Sequence, residues 1–358
     1  MAIMTRRNFV RSAAAASTLP LLGRGAFADE PLKVGLIYLG PVGDFGWTWA
    51  HEKGRKAMVS ALGGKVTADY VENVNEDASA TPVIKDLAAQ GHKLIFTTSF
   101  GYMDQTLEVA KDFPDVKFEH CTGYKSATNV GTYNNRFHEG RAVLGTIAGM
   151  MTKTGTIGYL GSFKVPEVVM GVNAFTLSAQ AIKPDIKVKL VMIDSWFDPA
   201  KEAAAAETLA NLGCDVITAH TDSAAPLQVC EKKKIYGFGQ GADMSRFAPH
   251  AHLTAIEDIW GPYYISRAKA MLDGSWAKDD AWWGIKEGSV VMSPYNKALP
   301  DNVKAAADKI IAGYKDGSYD VFTGPIADQT GAAKLAKGEK MALKDLATID
   351  WYVKGVQS

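Results

Sequence analysis

From residue 32 onward, short runs of β-branched and other apolar residues alternate with stretches whose apolar positions recur at helical spacing. Residues 32–38 are apolar at nearly every position, the pattern of a strand covered on both faces. Residues 50–62 follow with a helical period and stop at Gly63-Gly64. The same reading predicts strands at 65–71, 93–98, 116–119 and 129–133, with helices at 78–90 and 103–112 between them. The rhythm then restarts with helix 139–151, strand 156–160, helix 168–182, strand 186–193, helix 199–212, strand 215–219, helix 225–231 and strand 235–239. After His252 the pattern is mixed, with a helix at 263–272, strand-like segments at 281–286 and 289–293, and a helix at 301–314.

A βαβα order of this kind predicts a parallel sheet covered by helices on both faces. Two such series are too long for one sheet, so the pattern predicts two Rossmann-like lobes, the short late segments serving as returns between them. The expected organisation is a first lobe of residues 29–134 plus 258–288 and a second of 135–257 plus 289–325. A Gly- and Lys-rich tail, 326–358, is expected to wrap in order onto the fold.

Composition narrows the partners. The chain carries 39 basic and 39 acidic residues in 358, no footprint for nucleic acid. Residues 1–28 read as an export signal: Arg6-Arg7 in a twin-arginine box, an apolar stretch from Ala13 to Leu22, and Ala26-Phe27-Ala28 as a small-residue cleavage site. That stretch is too short to span a bilayer, and the absence of a nearby cysteine gives no lipid anchor. The mature protein, at net −4 once Arg6, Arg7, Arg11 and Arg24 are removed, is expected to be periplasmic. Cys121, Cys214 and Cys230 fit no zinc spacing; a Cys214–Cys230 bridge and three buried thiols both remain open.

Ligands of open parallel sheets bind at the carboxyl ends of the strands. After the first strand comes Gly40-Pro41-Val42-Gly43-Asp44-Phe45-Gly46-Trp47-Thr48-Trp49, which lacks the spacing of dinucleotide and triphosphate loops. It offers aromatic faces beside the Asp44 carboxylate, a combination suited to clamping a flat ligand. Asp194-Ser195-Trp196-Phe197-Asp198-Pro199 follows a later strand. Asp198 and Pro199 are accounted for as helix cap and first helical residue, whereas Trp196 is either a hydrophobic staple or a second aromatic face. Asp222 serves as a helix cap or a ligand contact, and Gly241-Ala242-Asp243 marks a close backbone approach. No nucleophile elbow, zinc-protease helix or histidine ligand spacing is present, so the reading is of a binding protein without cofactor or metal rather than an enzyme.

These residues resemble the basic membrane protein family, solute-binding components of ABC importers. The resemblance rests on Gly-x-Val-x-Asp-x-Gly-Trp-Thr at 40–48, Pro114-Asp115-Val116-Lys117-Phe118, Thr154-Gly155-Thr156-Ile157-Gly158, Asp198-Pro199-Ala200-Lys201, Gly213-Cys214-Asp215-Val216-Ile217 and Pro294-Tyr295-Asn296. It covers essentially all of the mature chain. It implies a type I periplasmic-binding-protein fold, two α/β lobes with three crossing segments, and an ABC permease as membrane partner. It also implies a purine or purine nucleoside held between two aromatics, here Trp47 and Trp196. Asp44, Asn134, Asp222, Asp243 and Asp258 are the candidates for reading the ring edge. Gly241 stands where the family has a carboxylate and the Lys expected near Asp258 is missing, departures at positions the resemblance ties to sugar contacts. A free base, adenine or guanine/hypoxanthine, is therefore the expected ligand, with a nucleoside, or a sensor that presents its ligand to a receptor, as alternatives. The protein is expected to act as a monomer.

Overall fold

A computed structural model describes residues 30–43 and 45–358. The predicted export signal and Asp44 lie outside the described residues.

The first series runs β1 (Leu32–Ile37), α1 (Trp47–Leu62), β2 (Val66–Val71), α2 (Ala80–Ala89), β3 (Leu94–Thr97), α3 (Met103–Asp112), β4 (Lys117–Cys121) and β5 (Val130–Asn135). The second runs α4 (Phe137–Met151), β6 (Thr156–Gly161), α5 (Pro166–Ile182), β7 (Lys187–Met192), α6 (Pro199–Asn211), β8 (Val216–His220), α7 (Ala225–Lys233), β9 (Tyr236–Gly241) and β10 (His252–Asp258). Then follow α8 (Gly261–Leu272), β11 (Asp280–Trp283), β12 (Val290–Met292) and α9 (Asp301–Asp316), and after them β13 (Ile326–Ala327), β14 (Ala333–Leu335), α10 (Leu343–Leu346) and β15 (Val356–Gln357).

Two main sheets result, ordered β11-β5-β4-β3-β1-β2 and β12-β10-β9-β8-β6-β7-β15. Setting aside the late strands, each has the doubly wound order 2-1-3-4-5, parallel throughout. This is the bilobed α/β architecture predicted from the pattern. The strand order reverses between β1 and β3 in one lobe and between β6 and β8 in the other, which is where such sheets open a crevice for ligand. Apolar runs such as Val34, Leu36 and Ile37 are fully buried, as strands packed on both faces require.

The chain crosses between sheets after β5, after β10 and between β11 and β12. Asn135 ties all three crossings together: its Nδ2 donates to Asp258 Oδ1 and to Ser289 O, both at 3.3 Å. Arg136 staples the first crossing to the third, donating to Glu139 Oε1 and Glu287 Oε2 at 2.5 Å each and to Trp282 O. The tail does more than wrap. Val356 and Gln357 pair in parallel with Val188 and Lys189 as the last strand of the second sheet, and Ile349, Tyr352 and Val353 enter that lobe's core. All three cysteines are buried and unbridged, and burial pushes the Cys214 and Cys230 thiols up to about 12.

Candidate functional site

The two switch points face one another across a shared cavity. The first lobe contributes Leu39 after β1, Trp47 at the start of α1, Ser99 and Phe100 after β3, and Thr122 after β4. The second contributes Glu167 at the start of α5, Trp196 after β7, His220 and Asp222 at and after β8, and Gln240 near the end of β9. The space between these atoms totals about 320 Å³, a small slot between the lobes.

Both predicted tryptophans line this slot, one from each lobe, and each indole is fixed by a hydrogen bond. Trp47 Nε1 donates to Thr98 O at 2.7 Å, and the ring packs edge-on to His51 and Trp260 with centroids 4.6 and 5.5 Å away. Trp196 Nε1 donates to Glu76 Oε2 at 2.9 Å, a bond that reaches from the second lobe to the segment after β2 in the first. Glu76 is held by the Ser99 hydroxyl (2.5 Å) and the Gly101 amide (2.7 Å), both donating to Oε1. Trp196 is thus an aromatic wall latched across the cleft.

Asp222 also lines the slot, and its loop is rigid. Its amide donates to Trp196 O at 3.0 Å, while Glu202 of α6 accepts from the Thr221 hydroxyl (2.8 Å) and the Ser223 amide (3.1 Å). Ala224, not Asp222, occupies the cap position of α7. The lobes touch here through glycines: a Cβ at Gly46 would lie 2.4 Å from Asp222 O, and one at Gly241, whose φ is +76°, 2.9 Å from Gly46 C. A side chain at either position would hold the lobes apart.

The other predicted polar residues lie elsewhere. Asn134 is buried in β5 with its Oδ1 lacking a protein partner. Asp258 sits at the second crossing, bonded to Asn135, and burial pushes its carboxyl up to about 7. Asp243 is at a turn, its Oδ1 accepting from the Ser245 amide at 2.8 Å, and its side chain is 41% exposed. The structure brings together Trp47, Trp196 and Asp222; Asn134, Asp243 and Asp258 are not among the slot's lining residues.

The sequence model of the ABC transporter substrate-binding protein PnrA-like family matches residues 32–315. The chain belongs to this family. A purine-binding protein of Brucella abortus (strain 2308) is 54% identical over 336 residues, 94% of this chain and 96% of that one. An ABC transporter nucleoside-binding protein of Lactococcus lactis subsp. cremoris is 30% identical over a shorter stretch, 42% of this chain and 40% of its own. Among solved structures, an ABC transporter solute-binding protein of Aeropyrum pernix K1 superposes with a TM-score of 0.71 at 14% identity, covering 88% of this chain and 97% of that one. That likeness concerns the fold. Family membership makes the chain a non-catalytic solute-binding protein that works outside the cytoplasm with a small-molecule ligand and a membrane permease.

Beneath the slot of this solute-binding protein is a buried ionisable layer that the sequence reading missed. Arg141 of α4, fully buried, donates to Thr218 Oγ1 (2.8 Å), Ala219 O (3.0 Å) and Gln240 Oε1 (2.5 Å), so it fixes the ends of β8 and β9 and the Gln240 amide. His220 bridges Tyr159 and Glu167 at 3.0 and 3.1 Å. Burial, reinforced by Arg141, pushes the His220 imidazole well below its ordinary range, so it is neutral. Burial, with Asp258 and Glu76 nearby, pushes the Glu167 carboxyl up to about 8. Pro166 at the first position of α5 reports a helix start rather than a ligand contact.

Proposed function

We propose that the protein captures a purine base, adenine or guanine/hypoxanthine, between Trp47 and Trp196 and delivers it as a monomer to an ABC permease. Export through the twin-arginine signal at 1–28 places this in the periplasm. The lobes that close on the base are 29–134 plus 258–288 and 135–257 plus 289–325, with 326–358 docked on the second. The observation that carries the reading is the pair of tryptophans, one from each lobe, that line the interlobe slot with their indoles held by hydrogen bonds. The 54% identity to a purine-binding protein along nearly the whole chain supports the same ligand class. Similarity to a nucleoside-binding protein keeps a purine nucleoside as the second reading. Calorimetry of the purified protein with adenine, guanine, hypoxanthine, adenosine and cytosine tests both. Bases binding more tightly than adenosine is the expected result; adenosine binding far more tightly would favour the second reading, and no purine binding would overturn both.

A further inference from the structure

We propose that Glu167 is the group that reads the ring edge in this slot, its free oxygen donating a hydrogen bond to an unprotonated ring nitrogen of the bound base. The inference rests on the purine reading above and adds the residue and the sign of the contact. Glu167 lines the slot and is almost wholly buried, at 6% exposed. Its position is set from behind. The buried Tyr159 hydroxyl must place its hydrogen on an acceptor, and His220 Nδ1 stands 3.0 Å away. With Nδ1 accepting, the neutral imidazole carries its hydrogen on Nε2, which donates to Glu167 Oε1 at 3.1 Å. One carboxyl oxygen is thereby occupied as an acceptor, and Oε2 is left for a ligand.

The pair cannot easily turn away. α5 passes so closely that a Cβ at Gly171 would lie 2.7 Å from the Tyr159 hydroxyl and 3.3 Å from His220 Nδ1. The groups facing Glu167 come from several elements. His220 lies on β8, Asp258 on β10, Glu76 in the segment after β2 and Arg141 on α4. Burial and the two carboxylates oppose its ionisation, Arg141 favours it, and the outcome is a carboxyl that keeps its proton to about pH 8. A protonated carboxyl offers a donor that a carboxylate lacks. Purine bases expose unprotonated ring nitrogens along their edges, and a donor at Oε2 satisfies one of them. Once Glu167 ionises, the same oxygen faces that nitrogen as a second acceptor.

Binding of the base must then take up the proton-bearing form, and affinity falls as pH rises through the free protein's value near 8. Calorimetry with adenine at pH 6.5 and 9.0 on wild type, Glu167→Gln, Glu167→Leu and Asp258→Asn reads this. Wild type is expected to bind about tenfold more weakly at pH 9.0. Glu167→Gln, whose amide donates at every pH, is expected to lose that dependence, and any slope left in it belongs to the ligand's own ionisation. Glu167→Leu is expected to bind at least tenfold more weakly at pH 6.5, and Asp258→Asn to keep the drop. A parallel series with 1-deaza-, 3-deaza- and 7-deazaadenine identifies the nitrogen, the relevant analogue losing affinity and pH dependence together. A wild-type profile that is flat, or that Glu167→Gln reproduces, overturns the inference while leaving the purine reading standing. No binding of any purine by wild type overturns both.

Discussion

Replacing Gly46 with alanine should weaken ligand binding without removing any side chain that lines the slot. The new Cβ would sit 2.4 Å from Asp222 O and 2.9 Å from Asp222 Cα, across the cleft. Comfortable carbon contacts lie near ~3.5–4.0 Å, so the lobes must part by about 1 Å at this point or strain the backbone. The opposing loop cannot yield readily, because Asp222 is hydrogen-bonded to Trp196 and its neighbours to Glu202. Overpacking of this kind costs about 1–3 kcal/mol, which corresponds to about 5- to 150-fold in affinity if the ligand is held only by lobes in contact. Calorimetry gives the affinity, and small-angle scattering with saturating ligand should report a less compact form than wild type. The ligand-free melting temperature should stay near that of wild type, since open lobes leave the methyl unopposed. Wild-type affinity in Gly46→Ala would refute the reasoning, and so would an equal loss of ligand-free stability.

Three further outcomes follow from the same geometry. Trp47→Ala and Trp196→Ala should each weaken purine binding by at least the stacking contribution of about 0.5–1.5 kcal/mol, measured by calorimetry, and unchanged affinity in both would remove the sandwich. Glu76→Ala deprives Trp196 Nε1 of its cross-cleft acceptor; a hydrogen bond to a charged group is worth about 1.5–3 kcal/mol, so affinity should fall about tenfold or more while the far-ultraviolet spectrum is unchanged. Asp258 has a folded value of about 7, above the unfolded ~3.9, so the folded state holds the extra proton and stability falls as pH rises from about 4 to 7. Asp258→Asn should flatten that slope and raise stability at pH 8, by at most about 4 kcal/mol, in urea unfolding at pH 5 and 8; a steeper slope in the variant would contradict it.

The lobes were legible because their strands are apolar on both faces and their helices keep one period, properties local enough to read residue by residue. The place of Trp196 at the slot was legible for a related reason: Asp198 and Pro199 already account for the start of α6, so an aromatic before them was surplus to local need. The beginning of α1 was read three residues late, since Gly46 caps it without a side-chain bond. β15 is two residues long and exists only because the edge of β7 receives it, which no periodicity announces.

What the sequence hid was the role of each carboxylate, and the reason is physical rather than a shortage of signal. Asp258, Glu76 and Glu167 are chemically alike, and their differences arise from partners brought in by the fold. Asp258 is tied to Asn135 from the other side of a crossing, so it belongs to the hinge. Glu76 is aimed by Ser99 and Gly101 at an indole in the opposite lobe, so it belongs to the latch. Glu167 is backed by His220 and Tyr159 and faces the slot. In a protein that binds between two bodies, a side chain's chemistry is set by which body lies opposite. A tryptophan of the slot could be found from local surplus, whereas the proposed reader of the ring had to await the contact between lobes.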